Sequence, residues 1–233
     1  MDPVPDPWPV QGLVLRTPRL ELRPDDDASL RELVVMLHDA GVHPASEMPF
    51  AAPWTDADPR YLGRGVLQHF WSERARSAPA SWGLHLVVRH DGAVAGLQSL
   101  YAERFGVLRG VHTGSYLGRR FQSRGFGTEM RAAVLAFAFD TLGATTARSD
   151  YVEGNESSAT VSRRLGYRPD GTVLNAARGH REVQHRLLLT PDAFVRPGWE
   201  LQVEGWTGDL AGFLGADPPG PAGWWGQERP AAG

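Results

Sequence analysis

The chain has 233 residues, of which 42% are hydrophobic and 22% charged, and its formal net charge is -3 at pH 7. The apolar fraction is enough for a folded core, so compositional disorder is excluded, and the length fits one large domain with appendages or two small domains. The small negative charge disfavours wholesale nucleic-acid binding. Because the sequence contains no cysteine, disulfide bonds, thiolate metal sites and a cysteine nucleophile are excluded.

The beginning of the chain does not resemble an export signal or a membrane anchor. Residues 1–12 contain four prolines and have neither a basic segment nor an apolar segment. No run of the sequence approaches the roughly 18 apolar residues that a membrane span requires. We therefore expect a proline-rich arm at residues 1–12, a cytoplasmic protein and no membrane partner.

The first regular elements are a strand, a helix and an irregular segment. "LVLRTPRLELRP", from Leu13, alternates apolar and polar residues and predicts an edge or bent strand. "DDDASLRELVVML" places acidic N-cap residues before an apolar helical stripe and predicts a helix. "HPASEMPFAAPW", residues 43–54, has no periodicity. A long apolar loop of this kind commonly lines a binding cleft, and packing on the core explains it equally well.

The central part of the sequence predicts helices between strands. A helix at residues 61–76 is followed by "WGLHLVVRHDGAVAGLQSLYAER", two strands joined by a tight turn at Asp91 and Gly92. "GVHTGSYLG" is a third strand, and residues 127–142 have a helical pattern. "ATTARSDYV" and "HREVQHRLLL" read as strands on either side of a helix in "NESSATVSRRLG". This mixed order predicts an α/β or α+β sheet domain rather than a helical bundle or a β-sandwich.

The stretch "QSRGFGTEM", residues 122–130, lies where a strand pattern becomes a helix pattern. The first N–H groups of a helix have no partner within the helix, and glycines such as Gly125 and Gly127 let the main chain approach a phosphate closely. Arg124 adds a forked cationic donor, and Arg119 and Arg120 precede it. The spacing alone fits a phosphate loop and a plain strand-to-helix turn equally well.

Three segments together resemble a known family. "QSRGFG" resembles the Q/R-x-x-G-x-G/A signature of the GCN5-related N-acetyltransferases, and "NESSATVSRRLGY" resembles the strand-and-helix segment that follows it in that family. "LRTPRLELRP" is similar to the start of the subgroup that acetylates ribosomal-protein N-termini. The resemblance covers residues 13–189, which it identifies as an acyl-coenzyme A N-acyltransferase domain.

The resemblance implies a mixed central sheet of about six to seven strands flanked by helices, in which the fourth and fifth strands splay apart. Here those strands are "HTGSYLG" and "TTARSDYV". It implies acyl-coenzyme A as co-substrate, with an acetyl group expected and a succinyl group as the alternative. The residues implied to bind it are Tyr116, Leu117, Gln122, Ser123, Arg124, Gly125, Phe126, Gly127, Thr128, Asn155 and Ser158. The scattered histidines give no paired spacing for a metal site, so no metal is expected.

The family resemblance also implies direct attack of an amine on the thioester, without an acyl-enzyme. Ser158 matches the serine of the family's N-x-x-S, where it would protonate the leaving thiolate. A serine at a helix start bonds the backbone about as often, so that alternative stays open. Many members have a tyrosine seven residues after the asparagine, and this chain has Ser162 there. The candidate catalytic residues are thus Ser158 and Asn155, the latter in a positioning role.

Three residues beside the central strands could accept the proton of the ammonium group: Glu103, His112 and Asp150. A lone strand histidine is usually structural, and a carboxylate at a strand end is usually solvated. Family members often deprotonate the amine through water, so the sequence does not identify a general base.

The amine acceptor is expected beside the loop at residues 43–54. Phe50 and Trp54, flanked by prolines, would form rigid aromatic walls, and Glu47 would attract an ammonium group. The acceptor itself stays open between a protein N-terminus, a lysine and a small molecule, and a homodimer stays open too. Two alternatives to an enzyme remain at this stage: a catalytically silent acyl-coenzyme A-binding module, and a protein that binds a nucleotide phosphate.

The sequence after residue 189 falls outside the resemblance. Residues 190–215 retain strand and helix patterns and are expected to pack on the domain. Residues 216–233 are rich in proline and glycine and are expected to form a tail. Trp224 and Trp225 interrupt that tail, and two adjacent indoles would dock on this chain or on a second subunit, or else remain disordered.

Overall fold

One mixed sheet runs through the part of the chain that this computed structural model describes, residue 4 and residues 6–216. Its strands in chain order are β1 (Val14–Arg16), β2 (Glu21–Pro24), β3 (Ser81–His90), β4 (Ala93–Glu103), β5 (Gly110–Leu117), β6 (Thr146–Val152), β7 (Arg168–Ala177), β8 (His180–Leu189) and β9 (Gln202–Glu204). Their spatial order is β7-β8-β6-β5-β4-β3-β2-β1-β9.

The helices lie on both faces of this sheet. They are α1 (Asp27–Asp39), α2 (Pro59–Arg76), α3 (Phe105–Leu108), α4 (Phe126–Ala136), α5 (Glu156–Arg164) and α6 (Gly208–Leu214), and α4 continues into a π-helical turn at Phe137–Thr141. In the described residues, α1 and α2 pack with one apolar cluster around Leu33, Phe70 and Leu97, and α4 packs with a larger cluster on the other face. No helix of these residues is both long enough and apolar enough to cross a bilayer.

The α/β fold with a mixed sheet is confirmed. The described residues form nine strands rather than six to seven, partly because the first predicted strand is two short ones. β1 and β2 pair antiparallel, with Pro18 in the turn between them, and β9 pairs with β1 on its other edge. The hairpin at β3 and β4 turns at Asp91 and Gly92, whose φ angles of 49° and 79° suit the tight turn that the sequence predicts.

The predicted splay of two parallel strands is present at β5 and β6. Their parallel pairing covers residues 110–112 of β5 and residues 146–148 of β6, and it ends at His112 and Arg148. Both strands continue beyond that point, to Leu117 and Val152. The sheet therefore opens between them, and the fork lies beside His112.

Both ends of the described chain pack on the domain. The stretch expected to be an arm contains a short 3-10 helix at Pro9–Gly12. Val10 of this helix is buried because it joins the larger apolar cluster. Trp8 meets Phe213 of α6 edge to face, at 5.7 Å between ring centroids. The segment 190–215 contributes β9 and α6. Trp224 and Trp225 lie outside the described residues.

Candidate active site

The loop between β5 and α4 has the geometry of an anion-binding turn. Ser123 and Gly125 have φ angles of 59° and 83°, and α4 begins directly afterwards at Phe126. Within the described chain, no acceptor lies against the main-chain N–H groups of residues 123–128. These donors and the positive end of the helix dipole face the same region, which suits a pyrophosphate.

A buried carboxylate holds this loop against the start of the sheet. Glu129 is 7% exposed and accepts hydrogen bonds from Thr17 Oγ1 at 2.6 Å and from Arg19 Nε at 2.7 Å. Arg19 Nη1 also donates to the carbonyl oxygen of Arg124, and the guanidinium stacks over Phe126. The segment that resembles the ribosomal-protein subgroup thus braces the loop. Glu129 lies in the first turn of α4, where a carboxylate complements the helix dipole, and here it also holds the loop in place.

Gln122 serves the same bracing purpose from the other side. Its Nε2 donates to the carbonyl oxygens of Val42 and Leu117, at 2.6 and 2.9 Å. The side chain therefore ties the end of β5 to the segment after α1. In this geometry Gln122 positions the loop, whereas the free donors come from the main chain.

Asn155 and Ser158 lie together at the start of α5. Asn155 is the N-cap, and its Oδ1 accepts from the N–H of Ser158 at 3.1 Å. Its Nδ2 donates to Pro49 O at 3.3 Å, which links α5 to the loop at residues 43–54. The half-buried Ser158 hydroxyl has no partner in the described part of the chain. It is therefore available to a substrate atom or a water molecule.

Arg131 is a buried cation that the sequence motifs do not reveal. It is 4% exposed, its Nη1 donates to Ser162 Oγ at 3.0 Å, and its Nη2 donates to Ser115 Oγ at 3.0 Å. Its Nε has no partner among the described residues. Burial lowers the pKa of Arg131 below its usual range, partly offset by Tyr167 and Asp150. A guanidinium thus lies between α4, α5 and β5, behind the opening of the sheet.

Two of the three candidate bases meet at the fork of the splay. His112 Nε2 lies 3.0 Å from Asp150 Oδ2, so the pair bridges β5 and β6. Burial alone would raise the pKa of Asp150, but hydrogen bonds from His112 and Gln184 lower it below its usual range. Glu103 is exposed at the end of β4, away from this pair.

The loop at residues 43–54 forms an aromatic wall on the α2 side of the sheet. Trp54 packs against both Phe50 and Tyr116, with ring centroids 5.3 Å from each, and those two rings also contact each other. Trp54 and Tyr116 line a cavity of about 420 Å³ that reaches Ser115 on β5. Glu47 lies in an exposed turn and does not line this cavity.

The residues that would hold acyl-coenzyme A fit it on observations of this chain. The unpartnered N–H groups of the loop suit a pyrophosphate, and the freed edge of β5 beyond His112 suits an extended amide chain that bonds it like an added strand. Among the described residues, no group of three histidine or carboxylate side chains is placed to hold a metal ion.

Comparison with known proteins gives one family and one fold. Residues 19–168 match the family model described as an acetyltransferase (GNAT) domain. The structure of Mycobacterium smegmatis RimJ in complex with CoA-disulfide is 17% identical, with a TM-score of 0.60, covering 79% of this chain and 90% of that one. At such identity the likeness shows the fold alone.

Two further solved structures have the same fold. RimL, a ribosomal alpha-N-protein acetyltransferase, is 14% identical, with a TM-score of 0.59, covering 75% of this chain and 91% of its own. MccE, a microcin C7 self-immunity acetyltransferase solved with acetyl-CoA and AMP, is 16% identical, with a TM-score of 0.59, covering 75% and 93%.

Proposed function

Because the chain belongs to the GNAT acetyltransferase family and is an acyl-coenzyme A-dependent acetyltransferase, we propose that it transfers an acetyl group to a primary amine by direct attack in a ternary complex. The amine nitrogen would attack the thioester carbonyl carbon, and the carbon–sulfur bond would break. The thiolate would then take one proton from the enzyme. The ammonium proton of the acceptor would leave through a base or a water molecule before the attack, and the second proton lost by the nitrogen would replace the one that the enzyme gives to the thiolate.

One observation carries this proposal: two different surfaces meet at the end of β5. The braced loop and α4 lie on one side of the opened sheet, and the aromatic cavity on the other side reaches Ser115 and Tyr116. A donor held on the loop and an acceptor held in the cavity would meet at the opening. Holding two reactants in such a geometry supplies much of the rate enhancement of a direct transfer.

Ser158 is the proposed acid for the leaving thiolate. Its hydroxyl has no partner in the described chain, and its N–H is fixed by Asn155. Ser162, at the position of the family tyrosine, has its hydroxyl engaged by Arg131 and by the carbonyl oxygen of Ser158. This difference favours Ser158 and assigns Ser162 a structural role.

His112 is the proposed base, held by Asp150 at the fork. A carboxylate that accepts from one imidazole nitrogen fixes the tautomer and the orientation of the ring. The other nitrogen, Nδ1, has no partner in the described residues. This pair lies at the last paired position of β5 and β6, where the sheet opens.

A coenzyme-release screen tests the proposal. Acetyl-CoA and succinyl-CoA are each crossed with three amine classes: peptides with a free N-terminus, peptides with a free lysine, and small amines. The RimL neighbour supports a protein N-terminus and the MccE neighbour a small molecule. Release above the no-acceptor rate with any amine supports the transferase. Tight acetyl-CoA binding without release for any amine would support a silent binding module instead.

A further inference from the structure

The cavity on the α2 side of the sheet has one polar end. Its walls are mostly apolar, formed by Trp54, Leu62, Val66, Phe70, Leu97 and Tyr116. His85 of β3 and Ser99 of β4 line the same cavity and lie opposite each other in the antiparallel register. Ligand cavities of this size commonly combine apolar walls with a few polar groups that fix the orientation of the ligand.

His85 has a nitrogen atom without a partner in the described chain. The residue is 8% exposed, and its Nδ1 lies 2.9 Å from Ser99 Oγ, within hydrogen-bond distance. Its Nε2 is buried and unpartnered. Buried polar atoms are nearly always hydrogen-bonded, and leaving one unpaired is unfavourable because its desolvation is not compensated. A ligand group that bonds Nε2 would remove this cost.

Neighbouring residues enclose that nitrogen and include an acceptor. The ring packs over Gly83, because a Cβ at this position would lie 2.8 Å from His85 Nε2. Glu73 Oε2 lies 3.9 Å from Nε2, too far for a direct hydrogen bond. A ligand oxygen that enters from the cavity and displaces the side chains burying Nε2 would bond both groups.

A hydroxyl group matches this arrangement in either tautomer of the ring. Ser99 can donate to Nδ1 or accept from it, so Nε2 is either a donor or an acceptor. A hydroxyl can accept from Nε2–H and donate to Glu73, or it can donate to a bare Nε2. Burial, with a smaller effect of the nearby His69, lowers the pKa of His85 to about 4, so the ring is neutral near pH 7.

The distance across the sheet limits the size of the acceptor. β3 and β5 are separated by one strand, so they lie roughly 10 Å apart. A hydrogen bond of about 3 Å to His85 leaves a span of roughly 7 Å for the ligand. Resting on the proposed function, we infer that the acceptor is a compact amine whose apolar body carries a hydroxyl group bound by His85. A phenol ring joined to an ethylamine chain has this shape.

Two amines that differ by one hydroxyl test this inference: tyramine and phenethylamine, each with acetyl-CoA as donor. In the parent enzyme, kcat/KM for tyramine should exceed that for phenethylamine at least tenfold, because a site built to bind a hydroxyl leaves its polar groups unpaired with the analogue. In His85→Phe, this ratio should fall to about 1, and the KM for acetyl-CoA should not change. A ratio that stays the same in the variant, or that is near 1 in the parent, would overturn the inference.

A second variant tests the cavity without touching its buried polar end. Gly65 of α2 lines the cavity, and a Cβ there would meet no atom within 4 Å. Gly65→Leu should therefore fold, fill the cavity and raise the KM for tyramine at least tenfold. Gln68→Leu, on an exposed position of the same helix outside the lining, is the control and should behave like the parent. Equal tyramine KM values in both variants would contradict a compact acceptor in this cavity.

The same experiments separate this inference from the proposed function. If peptides release coenzyme and tyramine does not, the transferase stands and the compact hydroxylated acceptor is wrong. If no amine in the screen releases coenzyme while acetyl-CoA binds, the proposed function itself fails.

Discussion

Arg131 Nη1 donates a 3.0 Å hydrogen bond to Ser162 Oγ, so the hydroxyl at the family tyrosine position is occupied by a buried guanidinium. The same hydroxyl donates to the carbonyl oxygen of Ser158 at 2.9 Å. Ser162 therefore has both a donor and an acceptor inside the protein. A hydroxyl in this state is a poor proton source for a leaving thiolate, which directs attention to Ser158.

Ser162→Ala should reduce stability and spare the chemistry. The change leaves one N–H of a buried cation unpaired, which costs about 1–3 kcal/mol and lowers the Tm by several degrees. We expect kcat within about threefold of the parent, well below the effect of losing a general acid. Thermal melting and steady-state kinetics on the same preparation check this. A large kcat loss at an unchanged Tm would place Ser162 in the reaction.

Ser158→Ala should have the opposite profile. If this hydroxyl protonates the thiolate, kcat should fall by about 10²-fold or more, while the KM for acetyl-CoA changes little. The control is Ser157→Ala, an exposed serine one position earlier in the same helix. Ser158→Ala with the kcat of this control would leave Ser158 as a helix-start residue.

The local features of the site could be predicted from the sequence because each depends on a short segment. The glycines at the start of α4 and the Asn155 cap follow from turn and helix-end chemistry, which acts over a few residues. The Asp91 and Gly92 turn is of the same kind. The resemblance then identified the splay of β5 and β6, which the spacing of apolar residues alone does not predict.

The buried polar groups could not be predicted in the same way. Arg131 looks like an ordinary surface arginine in a helix pattern, and its burial depends on Ser115 and Ser162 from two other elements. His85 did carry a signal: it lies within the continuous apolar run of β3 that is buried at residues 84–88, and it follows Gly83 by two positions, on the same face. The cavity beside His85 could not be predicted from this signal, because α2, which closes it, comes from another part of the chain.

Two substitutions at Gly125 test whether the loop binds a phosphate, and comparing them separates the effect of charge from that of backbone strain. Gly125→Asn and Gly125→Asp add side chains of nearly equal size at a φ of 83°, so both meet the same backbone strain. A carboxylate about 4 Å from a phosphate costs roughly 4 kcal/mol at an effective dielectric constant of about 20, so the Asp variant should bind acetyl-CoA at least tenfold more weakly than the Asn variant.

Calorimetry with acetyl-CoA measures the difference between the two Gly125 variants. Arg19 Nη2 would lie 3.3 Å from the new Cβ and would offset part of the added charge in Gly125→Asp. Measurements at two salt concentrations isolate the electrostatic part, because screening should narrow the gap. Equal dissociation constants in two folded variants would mean that no phosphate lies at this loop.

Trp54→Ala should weaken acceptor binding and leave donor binding intact. Trp54 lines the cavity and contacts Phe50 and Tyr116, on the face opposite to α4. We expect the acceptor KM to rise about tenfold, in the range of a lost aromatic contact surface, with an unchanged KM for acetyl-CoA. Trp71→Ala, at a tryptophan outside the cavity that is 44% exposed, is the matched control. A lower Tm with a normal acceptor KM would make Trp54 a packing residue.

The neutral state of His85 predicts a pH-dependent contribution to stability. Burial lowers the pKa of His85 to about 4, from an ordinary value of 6.5. Below pH 6.5 the unfolded chain binds a proton at this residue before the folded protein does. The contribution of His85 to stability is therefore fully present above pH 6.5 and is lost as the pH falls towards 4. A shift of this size corresponds to about 3 kcal/mol.

His85→Phe should remove this pH dependence. Comparing the variant with the parent separates the His85 contribution from that of a second group, which titrates in the same pH range. Burial raises the pKa of Asp25 to about 6, although Arg74 opposes the shift. Asp25 thus favours the folded state at low pH, and that contribution is lost as the pH rises through 6. Its effect on stability has the opposite pH dependence to that of His85. Asp25 is present in both the parent and His85→Phe, so its effect cancels in the comparison. The Tm of the parent should fall more steeply than that of His85→Phe between pH 7 and pH 4, by several degrees. Parallel curves would mean that His85 is protonated as readily in the folded protein as in the unfolded chain, so that burial does not keep the ring neutral below pH 6.5.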